Sequence, residues 1–102
     1  MLPVNTVIET IEFTKQADAV WSESERMEFI CWIARYPLAG DVIPGAEGLR
    51  KVRWKLAGKG KRGGVRVIYF NRSAEGRIYL IAIYRKADRS NIDPSELPEL
   101  DR

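Results

Sequence analysis

Between Gly48 and Ala74 the chain reads GLRKVRWKLAGKGKRGGVRVIYFNRSA, with nine lysines and arginines and not one acid. So dense a set of fixed cations suits one broad chemistry, the holding of phosphate-like anions. Arginine offers a planar two-pronged fork for this, and lysine a compact charge. The cations come in two settings. In LRKVRWK, alternation puts Val52 and Trp54 on one side of a strand and Lys51, Arg53 and Lys55 on the other, with Arg50 beside them in sequence. In GKGKRGG, Lys59, Lys61 and Arg62 sit among glycines, on a hairpin turn free to adapt to what it meets. Arg66 follows on a second strand, VRVIYFN, sharing a face with Ile68 and Phe70 while Val65, Val67 and Tyr69 take the other.

Other chemistries fail on composition. The chain has no histidine, so no serine or cysteine can form a standard nucleophilic triad. Its one cysteine, Cys31, excludes an internal disulfide, and a single thiol without histidine cannot close a zinc site. No metal or other cofactor is expected. GKGKRGG lacks the lysine–serine/threonine pair of a phosphate-binding P-loop. Glu9 and Glu12 read as the solvent side of a strand, not as the paired carboxylates of a glycosidase. Aromatic faces remain: Trp54, Tyr69, Tyr79 and Tyr84 could each stack a base, an interaction worth roughly 1–3 kcal/mol. Trp54 and Tyr69 fall on the apolar side of their strands and read as core, whereas Tyr84 adjoins Arg85 and Lys86. A basic sheet surface with a hairpin, and no groove-reading helix, favours single-stranded RNA over a duplex.

The elements that must position these groups are legible around them. TVIETIEF, Thr6 to Phe13, alternates as a first strand, and Thr14 can cap a short helix over KQADAVW. Ser22 opens a second helix, with Glu25 three residues on completing a capping box. Met27, Ile30, Ile33 and Ala34 form its apolar stripe, widened by Phe29 and Cys31, which reads as a small core residue. Tyr36-Pro37 stops it. Leu38 to Gly48 reads as an irregular connection. Three strands follow, Leu49–Lys55, Val65–Asn71 and Arg77–Arg85, joined by short turns into an antiparallel meander. The last is apolar on both faces, as a covered central strand should be. The tail, DPSELPEL, allows only a brief helix.

The 102 residues suit one domain, spanning 1–102, with a single modest core. A 45% hydrophobic and 30% charged chain is an ordinary folded protein, not a disordered tail. No apolar run reaches membrane-spanning length, the opening MLPVNTVIE lacks secretory-signal features, and the cysteine usage fits a reducing compartment. A cytoplasmic location is expected. The net charge of +3 hides a segregation: residues 1–47 sum to −5, residues 48–74 to +9 and residues 75–102 to −1. A polyanion would feel that local field far more strongly than the net charge suggests.

GLRKVRWKLAGKGKRGGVRVIYF followed by IYLIAIYRKAD, with PLAGDVIPGAEG before it, closely resembles the HigB-type branch of the RelE-like bacterial toxins. The resemblance covers about residues 6–92. It implies an α+β fold of β-α-α-β-β-β order, two N-terminal helices on a mainly antiparallel four-stranded sheet, and a short C-terminal helix or tail. It also implies the toxin half of a toxin–antitoxin pair, whose members commonly cut messenger RNA in the ribosomal A site without a metal. In that chemistry the ribose 2′-OH attacks the adjacent phosphorus, which needs a base, cations for the phosphorane and an acid for the leaving oxygen. Crowded cations disfavour one another's charged forms, which helps a lysine act as base. By position, Lys51 and Arg53 match the two basic residues the family carries on this strand, Arg66 the arginine that opens the next, and Lys86 a basic residue just past the last. Tyr84 lies close by as stacker or acid. Arg53 stands where relatives have lysine; arginine keeps its proton, so the base role falls to Lys51 or a neighbour.

The resemblance further implies a helix-turn-helix antitoxin, the ribosome and its message as partners, with no membrane. The antitoxin is expected either to present acids to Lys51, Lys59, Lys61, Arg62 and Arg66 or to exclude the ribosome by bulk. A related branch poisons gyrase through the ParE form of the same fold, so a non-catalytic binding module is the alternative function.

Overall fold

The computed structural model describes residues 5–55 and 64–86. Strand β1 (Thr6–Glu9) is followed by helices α1 (Ile11–Asp18) and α2 (Glu23–Arg35), then strands β2 (Asp41–Val42), β3 (Leu49–Trp54), β4 (Val65–Arg72) and β5 (Arg77–Arg85). They form one sheet in the order β1-β5-β4-β3-β2, with β1 parallel to β5 and every other pair antiparallel. This is the expected α+β meander under two helices, with β5 an interior strand between β1 and the central β4. It has five strands where four were expected, because Asp41 and Val42, inside the stretch read as irregular, pair with Lys51 and Arg50.

The first strand is shorter than its alternation suggested. Thr10, not Thr14, caps α1: its Oγ1 accepts from the Phe13 amide at 3.3 Å and donates to the Leu80 carbonyl at 2.8 Å. Glu12 is therefore an exposed helix residue, while Glu9 on β1 forms a two-pronged ion pair with Arg26 of α2. That carboxylate, donated to by Arg26 Nε at 2.7 Å, raises the guanidinium's already high pKa and pins α2 to β1.

Helix α2 begins at the Ser22–Glu25 capping box and ends before Tyr36-Pro37, both as expected. Its buried face is Phe29, Ile33 and Ala34. Cys31 is exposed, contrary to the core reading, since two residues from both Phe29 and Ile33 is the far side of a 3.6-residue turn. Met27, in the first turns of the helix, is exposed as well.

The main core lies between the helices and one sheet face. Phe13, Ala17, Trp21, Phe29 and Ile33 pack on Val52, Val65, Val67, Tyr69, Ile78, Leu80 and Ile83, with Trp54 at the margin. A smaller cluster, Ala46, Leu49, Ile68, Ile81, Ala82 and Tyr84, occupies the other face. Leu80 and Ile83 share a face although they are three positions apart, because the β4–β5 register slips between Ile68 and Tyr69. Ile81 is the extra residue of this β-bulge. Among the described residues no helix is long and apolar enough to cross a membrane.

Candidate active site

The face of the sheet turned away from the helices gathers the basic residues. Arg53 on β3, Arg66 on β4 and Tyr84 on β5 are consecutive partners across the ladder. Neighbouring strands lie about 4.8 Å apart, so this row spans about 10 Å. Lys51 is two residues from Arg53 on the same face, opposite Ile68. At the other end, the Lys86 amide donates to the Gly64 carbonyl at 3.2 Å, which sets Lys86 one step beyond Tyr84 and level with the residue after Trp54, Lys55. Gly64 itself has φ +58°, and a Cβ there would lie 2.3 Å from the Trp54 carbonyl oxygen, so only glycine lets the chain re-enter β4 this way.

The members of the row differ in exposure. Arg53 and Lys55 are exposed, and Lys51 and Lys86 are half-buried. Arg66, at 7% exposure, is the one charged side chain in the buried class among the described residues, and Tyr84 beside it is 8% exposed. A guanidinium held in the middle of a sheet has few orientations open to it, so its fork is fixed before any ligand arrives.

Tyr84 reaches this face through the bulge. Were β5 to alternate regularly through Ile81, without a bulge there, the face that points Leu80 at the helices would carry Tyr84 too. The bulge is secured by α1: the Ile83 amide donates to the Gln16 Oε1 at 2.9 Å. Sequence alternation could not reveal this, because β5 is apolar on both sides.

Behind Lys51 the loop before β2 is bolted to the sheet. The Tyr69 hydroxyl donates to the Pro37 carbonyl at 2.8 Å and accepts from the Gly40 amide at 2.9 Å. Burial pushes the Tyr69 phenol up from its ordinary pKa, against the lowering effect of the Gly40 hydrogen bond and the nearby Arg50. Arg50 Nη1 donates to the Gly40 carbonyl at 2.7 Å. Arg50 therefore belongs to the helix side of the sheet and is not brought to the basic row. Asp41, which sequence reading passed over, stands across the β2–β3 ladder from Lys51. A two-residue strand carries no periodic signal that would have placed it.

Of the expected site residues, Lys51, Arg53, Lys55, Arg66, Tyr84 and Lys86 come together on one face or its edge. Lys59, Lys61 and Arg62 lie outside the described residues, as does the tail after Lys86.

Residues 44–102, which hold this whole row, match the family model described as RelE toxin of the RelE/RelB toxin–antitoxin system. Among solved structures, a double mutant of the E. coli toxin RelE in the free state is similar at a TM-score of 0.59. The two share 11% sequence identity, over 85% of this chain and 88% of that one. At that identity the likeness is one of fold.

Proposed function

The chain belongs to the RelE toxin family, and we propose that it acts as a ribosome-dependent, metal-independent messenger-RNA endoribonuclease of the HigB type. The observation that carries this reading is the row Arg53–Arg66–Tyr84, with a buried arginine at its centre and lysines at both ends. In this mechanism Arg66 and Arg53 hold the scissile phosphate and stabilise the charge that builds on its equatorial oxygens. Lys51 takes the proton of the 2′-OH as its oxygen bonds to phosphorus. The bond from phosphorus to the 5′-oxygen breaks, and Lys86 protonates that oxygen as it leaves. The products are a 2′,3′-cyclic phosphate and a 5′-OH. Tyr84, buried beside Arg66, keeps that arginine's fork in place. General acid–base catalysis of this kind contributes typically 10²–10⁴-fold in rate.

The cations do here what a metal or a histidine pair does elsewhere, which suits a chain that has no histidine. The site acts in the cytoplasm on message held in the A site of the small ribosomal subunit, and a helix-turn-helix antitoxin restrains it. Lys55, Lys59, Lys61 and Arg62 guide the RNA backbone to the row.

Primer extension on translated messages after induction tests the reading. New cuts within codons are expected with the wild-type chain and not with Arg66→Ala. Growth arrest with intact messages and inhibited DNA supercoiling would instead establish the gyrase-directed alternative.

A further inference from the structure

An exposed apolar groove lies on the helix side of the sheet, where α2 ends and the chain enters β2. Trp32, Arg35, Tyr36, Pro37, Leu38 and Ala39 line an open groove of about 460 Å³. Two of its walls are large apolar side chains left in water, Tyr36 at 54% exposure and Leu38 at 64%, and Val42, on the strand that follows, is 55% exposed. Contiguous exposed apolar surface of this kind marks an interaction site more often than chance. Trp32 forms its floor and is itself held by the Phe29, Tyr36 and Trp54 rings at 5.2–6.1 Å between centroids. The groove is therefore preformed. The loop that builds it is fixed by the hydrogen bonds of Tyr69 and Arg50 to Pro37 and Gly40.

Two further features say what kind of occupant fits. The groove residues run directly into β2, the last strand of the sheet. The Ile43 amide donates inward to the Leu49 carbonyl, so by alternation the amide and carbonyl of Val42 point outward, away from β3. An edge group beside a side-chain pocket is the arrangement that accepts an added extended segment: main-chain hydrogen bonds hold it and the pocket selects it. At the rim, Arg35 is exposed and makes no ion pair among the described residues, which asks for a carboxylate.

We propose that this groove is the docking site of the antitoxin, which lays an extended segment along Val42, buries a large apolar side chain between Trp32, Tyr36 and Leu38, and sets an acid against Arg35. The inference rests on the toxin reading above for its partner, but not on the nuclease chemistry. It places the grip on the toxin at the helix side and β2 edge of the sheet, not on the face that carries Arg53 and Arg66, so neutralisation follows from the bulk the antitoxin carries and not from masking each cation.

The test is calorimetric titration of the purified chain with its cognate antitoxin, using Leu38→Glu, Arg35→Glu and Val42→Pro. All three positions are exposed, and proline is tolerated on an edge strand, so the variants should melt as the wild type does. Leu38→Glu is expected to weaken binding by about thirtyfold or more, as loss of a central anchor does. Growth arrest in cells lacking the antitoxin should stay unchanged. Arg35→Glu should lose affinity that an acid-to-lysine change in the antitoxin restores. Affinities within about twofold of wild type for both Leu38→Glu and Arg35→Glu, a difference too small for a lost anchor, would overturn the proposal. So would light scattering that shows the wild-type chain to be a dimer which Leu38→Glu makes monomeric, since a second copy would then fill the groove. Because binding is read by heat, loss of affinity in a chain that proves not to cut RNA would still support the docking site.

Discussion

Arg66 and Tyr84 face each other across β4 and β5, on the side away from the helices, because β5 carries one extra residue at Ile81. The pair sets a buried guanidinium side chain beside an aromatic one, about 5 Å apart between Cα atoms. A ring that acts by packing beside Arg66 should tolerate loss of its hydroxyl. Tyr84→Phe is expected to keep message cleavage within a few-fold, while Tyr84→Ala leaves a cavity beside Arg66, costs about 3–5 kcal/mol of stability and slows cleavage as the arginine loses its support. Single-turnover cleavage of a ribosome-bound message measures both.

The bulge depends on Gln16. Its side-chain oxygen accepts the Ile83 amide, which the ladder leaves to be satisfied from α1. Gln16→Ala should cost about 1–3 kcal/mol, the usual loss for a buried donor left without a partner. The urea midpoint should fall while the slope stays constant, and cleavage should fall with it as Tyr84 loses its fixed position.

Arg53 and Arg66 are like charges placed opposite one another. Such pairs destabilise a sheet by roughly 0.2–1 kcal/mol, a cost consistent with a site kept for function. Arg53→Gln is expected to raise the melting temperature slightly while it lowers cleavage. A variant that lost both stability and activity would point to a structural role for Arg53.

Tyr69 gives the fold an alkaline limit. Burial raises the folded-state pKa of its phenol above the ordinary value of 10.0 that it takes when unfolded. The folded state therefore holds the proton more tightly. Its contribution to stability is complete below the unfolded pKa and is lost as pH rises through the folded one. Denaturant midpoints should fall above about pH 10, where an unburied tyrosine ionises. Tyr69→Phe should remove much of that fall and cost about 1–2 kcal/mol at neutral pH through the lost Pro37 and Gly40 hydrogen bonds.

Much of the scaffold was legible because local signals agreed with one another. The alternation of Lys51, Val52, Arg53 and Trp54 fixed both the strand and its two faces, and Ser22 with Glu25 marked the start of α2. Where two periods fit the same residues, the reading failed. Val7, Ile11 and Phe13 suit a strand, yet Thr10 turns the chain into a helix by bonding both Phe13 and Leu80. Cys31 sat within an apolar run whose facing side was settled only by the sheet below it. The bulge at Ile81 and the pairing of Asp41 with Lys51 arise from contacts between strands, and no stretch of β5 or β2 alone encodes them. Arg50 looked like one more cation of the run, but its hydrogen bond to Gly40 draws it to the other side.

The central claim is that a basic face without histidine cuts RNA through the ribose 2′-OH. Its most direct test is the chemistry of the ends left on a message cut in programmed ribosomes, with a chelator present throughout. The expected products are a 2′,3′-cyclic phosphate on the upstream fragment and a 5′-OH on the downstream one, formed at an undiminished rate in chelator and abolished by Arg66→Ala. A 5′-phosphate, or cleavage that the chelator stops, would contradict the account.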